Sequence, residues 1–456
     1  MLNKVRNIYF LGVGGIGMSA LARYFNAKGF AVAGYDKTES DLTMQLQREG
    51  IQVHYDDSVD TIPEDFKNPN FTLVVMTPAI PADLTELHFF RKNGFNVLKR
   101  SQVLGEITRA QRGICIAGTH GKTTTSTMTA HLLNSSSVGC NAFLGGISKN
   151  FEKNIHISDS SDLVVIEADE YDRSFLTLSP YMAAVTSADA DHLDIYGTEE
   201  EYLKGFEDFV SLVRPGGVLV MKCGLPIKAK VAENVTVYTY SRDCGDFHAE
   251  NVVVENGDIF FDFVHPQGVF SKMKLGVPVD VNVENGVVAM ALAMLNGATE
   301  AELRAGLASY AGVKRRFEFH LKKDGLVFID DYAHHPEELK ASIDSISKLY
   351  PGKKVTVVFQ PHLYSRTRDF ADDFAKSLSK VDELILLDIY PARELPIEGV
   401  SSQMLLDKVS IENKRVLSKQ ELVEYVKNGS FEVFATIGAG DVDRMIPQLK
   451  QALEEC

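Results

Sequence analysis

Short apolar runs that alternate with helical patterns constrain the fold of this chain more than any other feature of its sequence. "IYFLGVG" is predicted as a strand, "GMSALARYFNAKG" as a helix that closes at Gly29, and "AVAGYD" as a second strand. The alternation restarts near residue 100 with "GICIAG" and "DLVVIEADE", and again near residue 314 with "LVFIDDYAHHP" and "KVTVVFQPH". Strands and helices in alternation are typical of parallel sheets covered by helices.

The three restarts also predict three domains, because 456 residues exceed the length of one ordinary domain. We expect an α/β protein with domains at residues 1–99, 100–313 and 314–456. The first and third are expected to be Rossmann-like, and the middle one to be a parallel-sheet domain like those of P-loop ATPases. The middle domain also contains a β-rich excursion, in which "VVVENGDIFFDF" carries an Asn-Gly hairpin signal.

Charge and cysteine usage exclude several classes of protein. A net charge of −15 argues against a nucleic-acid binder, whose surface should be basic. The five cysteines are scattered without a C-x-x-C pair, which favours a reducing, cytoplasmic compartment. No apolar stretch is long enough to cross a bilayer, and the glycines of "GVGGIG" do not suit a signal helix. The sequence leaves the oligomeric state open.

A glycine-rich turn follows the first predicted strand and opens the first predicted helix. Gly12, Gly14 and Gly17 have the spacing of G-x-G-x-x-G, and Asp36 ends the next strand about twenty residues on. Such glycines let a diphosphate approach the backbone at a helix N-terminus. A dinucleotide is the obvious ligand, but any diphosphate suits the turn, and a turn needed only for packing is the alternative.

A second glycine-rich loop, "AGTHGKTTT", resembles a phosphate-binding P-loop but is shorter. In G-x-x-x-x-G-K-[ST] the first glycine would fall at Ile116, whereas here the nearest one is Gly118. The loop still joins a buried strand to a helix that starts with Lys-Thr. Lys122 can neutralise the β- and γ-phosphates, and the Thr123 hydroxyl can ligate Mg²⁺.

Acidic side chains follow the next two strands of the middle domain. The first group comes after "DLVVI" and the second after "YMAAVTSA", and together they comprise Glu167, Asp169, Glu170, Asp172, Asp189, Asp191, His192 and Asp194. Ligands of parallel α/β sheets bind at the carboxyl edge, where these residues are expected to meet. The sequence therefore predicts a metal–nucleotide site beside the shortened loop.

Together, "GTHGKTTT", "EADEYDRSF" and "DHLD" resemble the Mur ligase family, the ATP-dependent amino-acid ligases of peptidoglycan assembly. Further matches, "GVGGIGMSALA", "KRRFE", "DDYAHHP", "FQPHLYSRT" and "YPARE", extend the resemblance over nearly the whole chain. They point to the branch that joins L-alanine to UDP-N-acetylmuramate through an acyl phosphate. The resemblance implies UDP-N-acetylmuramate, L-alanine and ATP as substrates, with two Mg²⁺ ions, for which Mn²⁺ is a possible substitute.

The resemblance also implies roles for individual residues. The UDP-sugar is expected at Gly14, Gly15, Ile16, Gly17, Met18, Ser19, Asp36 and Thr77. ATP is expected at Gly118, Thr119, His120, Gly121, Lys122, Thr123, Thr124, Asn282, Asn285, Arg316 and Asp331. The metal ions are expected at Thr123, Glu167 and His192, and the amino-acid acceptor at His334, His335, His362, Tyr364 and Arg366. The catalytic set is Lys122, Glu167, His192, Arg316 and His362.

Some alternatives remain open at the level of sequence. Val281 stands where the family usually has a histidine, which affects one adenine-side contact. The base that takes the proton of the amine is His362, Asp191 or the phosphate itself. The dense "DDYAHHP" is interpreted as substrate contact or helix entry, with Pro336 at the first helical position, and not as a metal site. Other candidate functions are a ligase for a murein tripeptide, an NAD-binding redox module and a non-enzymatic nucleotide sensor.

Overall fold

The computed structural model describes residues 4–190, 193–255, 257–392 and 394–455. The chain forms two compact units. One contains Met1–Val252, Phe260–Gly276 and Val283–Ala311, and the other contains Val253–Ile259, Val277–Asn282 and Gly312–Cys456.

The first sheet of the larger unit is a five-stranded parallel sheet with the order β3-β2-β1-β4-β5. Its strands are β1 (Asn7–Leu11), β2 (Ala31–Tyr35), β3 (Gln52–His54), β4 (Thr72–Met76) and β5 (Asn96–Lys99). Its helices are α1 (Ile16–Ala27), α2 (Asp41–Arg48), α3 (Thr85–Lys92) and α4 (Arg100–Ala110), with short 3₁₀ turns at Val59–Thr61 and Glu64–Phe66. The strand order reverses at β1, and such switch points are where parallel sheets bind ligands.

The second sheet has seven strands in the order β12-β11-β10-β6-β9-β7-β8, and the described pairings are parallel except that of β7 with β8. Its strands are β6 (Arg112–Ala117), β7 (Asn141–Phe143), β8 (Ile155–His156), β9 (Leu163–Glu167), β10 (Met182–Val185), β11 (Val218–Lys222) and β12 (Thr236–Tyr240). The associated helices are α5 (Lys122–Asn134), α6 (Leu193–Tyr196) and α7 (Glu199–Ser211), with a 3₁₀ segment at Tyr171–Thr177.

The predicted β-rich excursion follows the seven-stranded sheet along the chain. It is a three-stranded sheet of β13 (His248–Glu255), β14 (Asp258–His265) and β15 (Gly268–Leu275). The Asn256 of the predicted hairpin turn lies outside the described residues. Two helices come next, α8 (Val281–Leu295) and α9 (Glu300–Ser309).

The smaller unit contains a six-stranded sheet with the order β16-β17-β21-β18-β19-β20. Its strands are β16 (Glu318–Lys323), β17 (Leu326–Asp331), β18 (Val355–Phe359), β19 (Glu383–Leu386), β20 (Lys414–Val416) and β21 (Val433–Ile437). Only β16 runs antiparallel among the described pairings. The helices are α10 (Pro336–Leu349), α11 (Tyr364–Asp369), α12 (Ala371–Leu378), α13 (Ser402–Lys408), α14 (Lys419–Lys427) and α15 (Ile446–Glu455), with a 3₁₀ turn at Asp441–Met445.

The central strands are buried along their length, which explains their apolar sequences. Ile114, Ile116 and Val357 are inaccessible to solvent, as strands covered by helices on both faces require. Each of the three predicted segments thus carries its own α/β sheet, and the predicted fold class is confirmed. The boundaries at residues 99 and 313 stay predictions. Over the described residues, no helix combines the length and the apolarity that crossing a bilayer requires.

The first two predicted segments are tied together within the larger unit by a buried polar cluster. Asn154, which precedes β8, donates through Nδ2 to the backbone oxygen of Ile16 and to Ser19 Oγ at 3.2 Å. Its Oδ1 accepts a hydrogen bond from Arg23 at 2.9 Å, and Arg23 also pairs with Glu49 at 2.7 Å. Because Ser19, Arg23 and Asn154 are buried, their mutual bonds fix the start of α1 against the second sheet.

Candidate active site

The glycine-rich turn between β1 and α1 lies at the carboxyl edge of the first sheet. Asp36, directly after β2, accepts a hydrogen bond from the backbone N–H of Gly14 at 2.7 Å. Thr77, directly after β4, approaches the turn from the other side, and its methyl group would lie 2.6 Å from a Cβ placed on Gly12. The loops after three neighbouring strands therefore meet at the turn. The remaining predicted UDP-sugar residues form the first part of α1 with its cap, namely Gly15, Ile16, Gly17, Met18 and Ser19.

The shortened phosphate loop occupies the four residues between β6 and α5. Gly118 has φ +145° and Gly121 has φ +80°, conformations that side chains rarely adopt. A Cβ on Gly118 would also lie 2.1 Å from Thr186 Oγ1. Glycine is therefore required at Gly118 by both backbone conformation and space, and α5 begins at once with Lys122.

Residues that directly follow β10 fix the loop through hydrogen bonds. Thr119 Oγ1 donates to the backbone oxygen of Asp189 at 2.8 Å, and the backbone N–H of His120 donates to Ser187 Oγ at 2.7 Å. Thr186 Oγ1 donates to the His120 backbone oxygen at 2.5 Å. The loop is thus pre-formed, which lowers the entropy lost when a ligand binds.

Lys122 forms a buried ion pair that the sequence did not identify. Its Nζ lies 2.8 Å from Oε1 and 2.7 Å from Oε2 of Glu170, and it also donates to the backbone oxygens of Gly118 and Thr119. Burial raises the pKa of Glu170 to about 7, and the charge of Lys122 acts in the opposite direction. Glu170 was one of seven acids predicted near this edge, but its pairing with Lys122 depends on the path of the chain after β9.

The hydroxyl of Thr123 and the carboxylate of Glu167 lie together, as a metal–nucleotide site requires. Thr123 Oγ1 donates to Glu167 Oε1 at 3.0 Å, and Gly145 N donates to Oε2 at 3.0 Å. The Thr123 hydroxyl and the Glu167 carboxylate present hard oxygen ligands of the type that Mg²⁺ prefers. The predicted His192, and Asp191 beside it, lie outside the described residues. Among the residues described, no group of three or more His, Cys, Asp or Glu side chains is arranged to hold a metal by itself.

Three further predicted ATP-binding residues have separate surroundings. Asn285 accepts a hydrogen bond from Thr125 Oγ1 at 3.2 Å, so it lies against the helix that follows the phosphate loop. Asn282 belongs to the smaller unit, where it donates to the backbone oxygen of Val277 at 3.3 Å. Thr124 lies in the first turn of α5.

In the smaller unit, two adjacent arginines have different environments. Arg315, at φ +62°, pairs with the fully buried Asp330 at 3.3 Å and donates to two backbone oxygens of the loop after β21. Arg316, which was predicted to bind ATP, has its guanidinium carbon 5.1 Å from the centre of the Tyr332 ring. In the ranges described, its guanidinium makes no hydrogen bond or ion pair with another side chain. Arg315 is therefore engaged in the fold, whereas Arg316 can bind a ligand. Burial raises the pKa of the neighbouring Asp331 above its usual range.

The histidines of "DDYAHHP" form hydrogen bonds at the N-terminus of α10. His335 is the N-cap, and its ring accepts a hydrogen bond from the backbone N–H of Glu337 at 3.4 Å, with Pro336 at the first helical position. The backbone N–H groups of His334 and His335 both donate to Glu338. These bonds agree with the helix-entry interpretation.

His362, Tyr364 and Arg366 follow β18 at the same edge of the sheet as His334. The rings of His334 and His362 are 5.9 Å apart, and His362 stacks on Tyr390 at 5.8 Å. Burial lowers the pKa of His334, and the positive charge of Arg366 adds to this effect. Tyr364 begins α11. The structure thus gathers the predicted acceptor-binding residues of the smaller unit at one sheet edge.

Three domain families match the chain in succession. The Mur ligase family, catalytic domain, matches residues 7–112, the Mur ligase middle domain matches residues 116–293, and the Mur ligase, glutamate ligase domain, matches residues 315–440. Among solved structures, the UDP-N-acetylmuramate–alanine ligase MurC of Thermotoga maritima superposes with a TM-score of 0.80 at 26% identity, over 98% of both chains. A murein peptide ligase of Psychrobacter arcticus has the same fold, with a TM-score of 0.68 at 21% identity over 99% of both chains.

Two relatives are similar over almost their whole length. The UDP-N-acetylmuramate–L-alanine ligase of Parabacteroides distasonis is 59% identical, over 99% of this chain and 98% of the relative. The ligase of the same name from Phocaeicola vulgatus is 55% identical, over 98% of each chain. Similarity of this extent, together with the three domain matches, shows that the chain belongs to the Mur ligase family.

Proposed function

We propose that this protein joins L-alanine to the carboxylate of UDP-N-acetylmuramate, with ATP converted to ADP and phosphate. In the first step a carboxylate oxygen bonds to the γ-phosphorus, and the bond from that phosphorus to the β–γ bridging oxygen breaks. ADP leaves, and an acyl phosphate remains. The neutral amine of L-alanine then attacks the acyl carbon, the carbon–oxygen bond to phosphate breaks, and the amine loses a proton.

The observation that carries this proposal is the pairing of the shortened phosphate loop with Glu167, in a chain that resembles L-alanine ligases over its whole length. Lys122 and Thr123 begin the helix after the loop, and Thr123 donates to Glu167 at 3.0 Å. Two anions must meet in the first step, so the main task of the protein is to reduce their repulsion. Lys122 supplies one positive charge, and we assign Arg316 the same task.

Thr123 and Glu167 would hold Mg²⁺, since both present hard oxygen ligands beside the loop. Bound Mg²⁺ supplies charge neutralisation between phosphate and carboxylate. A second ion, with Glu167 and His192 as its ligands, belongs to the same proposal. In the smaller unit, we assign Arg366 to the carboxylate of L-alanine and His362 to the proton of the amine, with Asp191 or phosphate as the alternative base.

The proposal is tested by phosphate release in a mixture of UDP-N-acetylmuramate, ATP and Mg²⁺, to which either L-alanine or the murein tripeptide is added. We expect release with L-alanine, and a product mass that corresponds to one added alanine. Turnover with the tripeptide alone would assign the chain to the other branch of the family. A change in NADH fluorescence on binding, without ligation, would instead support a redox module.

A variant separates an enzyme from a nucleotide sensor. We expect Lys122→Met to lower kcat at least about 100-fold, because a charge aimed at the transferred phosphate is removed. Lys353→Met is the matched control, since Lys353 also forms an ion pair, 2.7 Å from Glu432, but at the amino end of β18. ATP binding by the wild-type protein with no phosphate release under any condition would support the sensor.

A further inference from the structure

A small cavity within the larger unit lies between the glycine-rich turn and Glu167. Its volume is about 200 Å³, and its lining includes Gly17 of α1, Arg100 at the start of α4, Gly145, Glu167 and Asp169. A pocket for a whole drug-sized ligand is about 300–1,000 Å³, so this cavity suits one group of a larger ligand. It joins the region where a diphosphate is expected to the region where the γ-phosphate is expected.

Arg100 is the one cation among the described residues that line the cavity. Its Nε is buried and has no hydrogen-bond partner, and within the described chain its guanidinium makes no ion pair. The group lies directly against Gly17, where a Cβ would be 2.6 Å from Nε, Cζ and Nη1. A buried donor without an acceptor is unfavourable, so a ligand that supplies an acceptor would stabilise this arrangement.

The other charged groups of the cavity limit the charge of a ligand that can bind there. Glu167 and Asp169 are both acidic, so an anion that enters meets repulsion unless a cation compensates. Neither acid forms an ion pair with Arg100, and the Glu167 oxygens already accept hydrogen bonds from Thr123 and Gly145. Arg100 is therefore available to bind an anion, and a planar carboxylate matches the guanidinium fork.

We propose that Arg100 binds the lactyl carboxylate of the UDP-sugar and orients it beside Glu167. This inference rests on the proposed function, because the reacting carboxylate has to lie between the UDP-binding turn and the site of the γ-phosphate. Arg100 is then a substrate-binding residue that orients the carboxylate from which one oxygen attacks phosphorus.

The test compares two ligands that differ in this carboxylate. UDP-N-acetylglucosamine carries the same diphosphate and uridine as UDP-N-acetylmuramate but has no lactyl group. Dissociation constants of both are measured by calorimetry on the full chain, for the wild type, Arg100→Gln and Arg100→Lys. Initial rates of phosphate release give KM for each of the three substrates.

For Arg100→Gln we expect UDP-N-acetylmuramate to bind about 10- to 100-fold more weakly, whereas UDP-N-acetylglucosamine binds as in the wild type. KM should rise for the UDP-sugar and stay constant for ATP and L-alanine. Arg100→Lys keeps the charge and should recover part of the affinity, which also guards against a variant that fails to fold. Arg109→Gln is the matched control on the same helix, because Arg109 is half exposed and bonds to Glu106 and the Thr177 backbone oxygen.

Equal weakening of both ligands would overturn the inference, because Arg100 would then act on the diphosphate or on the fold. Unchanged affinity for UDP-N-acetylmuramate in Arg100→Gln would also overturn it. If the wild-type chain neither binds UDP-N-acetylmuramate nor releases phosphate with L-alanine, the proposed function itself fails. A fully active wild type with an unaffected Arg100→Gln variant contradicts this inference alone.

Discussion

Gly145→Ala tests whether the position of Glu167 is essential for the reaction. A Cβ on Gly145 would lie 2.2 Å from Glu167 Oε2 and 2.5 Å from both Oε1 and Cδ. The carboxylate would have to recede by about 1 Å to reach an ordinary contact of about 3.4 Å. Gly145 has no left-handed φ, so alanine brings no backbone strain of that kind.

The displacement affects both hydrogen bonds that fix the Glu167 carboxylate. They come from Thr123 Oγ1 and Gly145 N, each at 3.0 Å. Since bonds to a charged group contribute about 1.5–3 kcal/mol and part of each survives the shift, we expect a loss of about 1–3 kcal/mol in the free energy of unfolding. A misplacement of about 1 Å can lower a rate about 100-fold, which is about 2.7 kcal/mol in activation free energy, so kcat should fall by a free energy of the same order as the loss of stability.

The assay is the initial rate of phosphate release as a function of Mg²⁺ concentration, with thermal unfolding measured in parallel. We expect kcat about 100-fold lower and a higher Mg²⁺ concentration for half-maximal rate. Gly286→Ala is the control, because a Cβ on this α8 residue meets only ordinary contacts of 3.6–3.8 Å, to Leu275, Leu307 and Met128. Wild-type kcat and Mg²⁺ dependence in Gly145→Ala would refute the role of Glu167.

Further predictions concern the two buried ion pairs and Arg316. Burial raises the pKa of Glu170 from 4.5 to about 7, so its contribution to stability is fully present below pH 4.5 and is lost as the pH rises through 7. Glu170→Gln removes this titration. In urea unfolding, the free energy of unfolding of the variant minus that of the wild type should rise by up to about 3 kcal/mol between pH 4.5 and 7. A difference that does not change with pH would contradict this. Arg315→Met leaves the buried Asp330 without its ion-pair partner and should lower the free energy of unfolding by about 3–5 kcal/mol, measured by thermal unfolding. Unchanged stability would show that the pair has no structural role. Arg316→Met should keep wild-type stability but lower kcat/KM about 100-fold in the phosphate-release assay, and wild-type activity would exclude it from the reaction.

The sequence predicts the three α/β sheets and much of the candidate site because the signals are local. An apolar strand, a glycine turn and a helix that begins at Lys122 lie within one short segment, and β9 ends at Glu167 as expected. Glycine at position 118 is likewise visible in the sequence, although its need for φ +145° is not.

Pairings between distant segments could not be predicted in the same way. Glu170 reaches Lys122, whereas the nearby Asp172, which has a left-handed φ, pairs with Lys99 at 3.5 Å. Arg315 and Arg316 are adjacent and chemically alike, yet only Arg315 meets the buried Asp330. A sequence pattern gives the order of side chains but not which of two neighbours faces the core.

The sequence by itself determined the α/β class, the shortened phosphate loop and the Mur ligase resemblance, because periodicity and motif spacing are properties of contiguous residues. Only the tertiary structure decided which charges are compensated. No sequence motif marks Arg100 at the start of α4. Only the cavity that it lines together with Gly17 and Glu167 indicates a role in binding. The burial of Arg100 Nε depends on contacts between segments that are far apart in the chain, and these contacts form only when the chain folds.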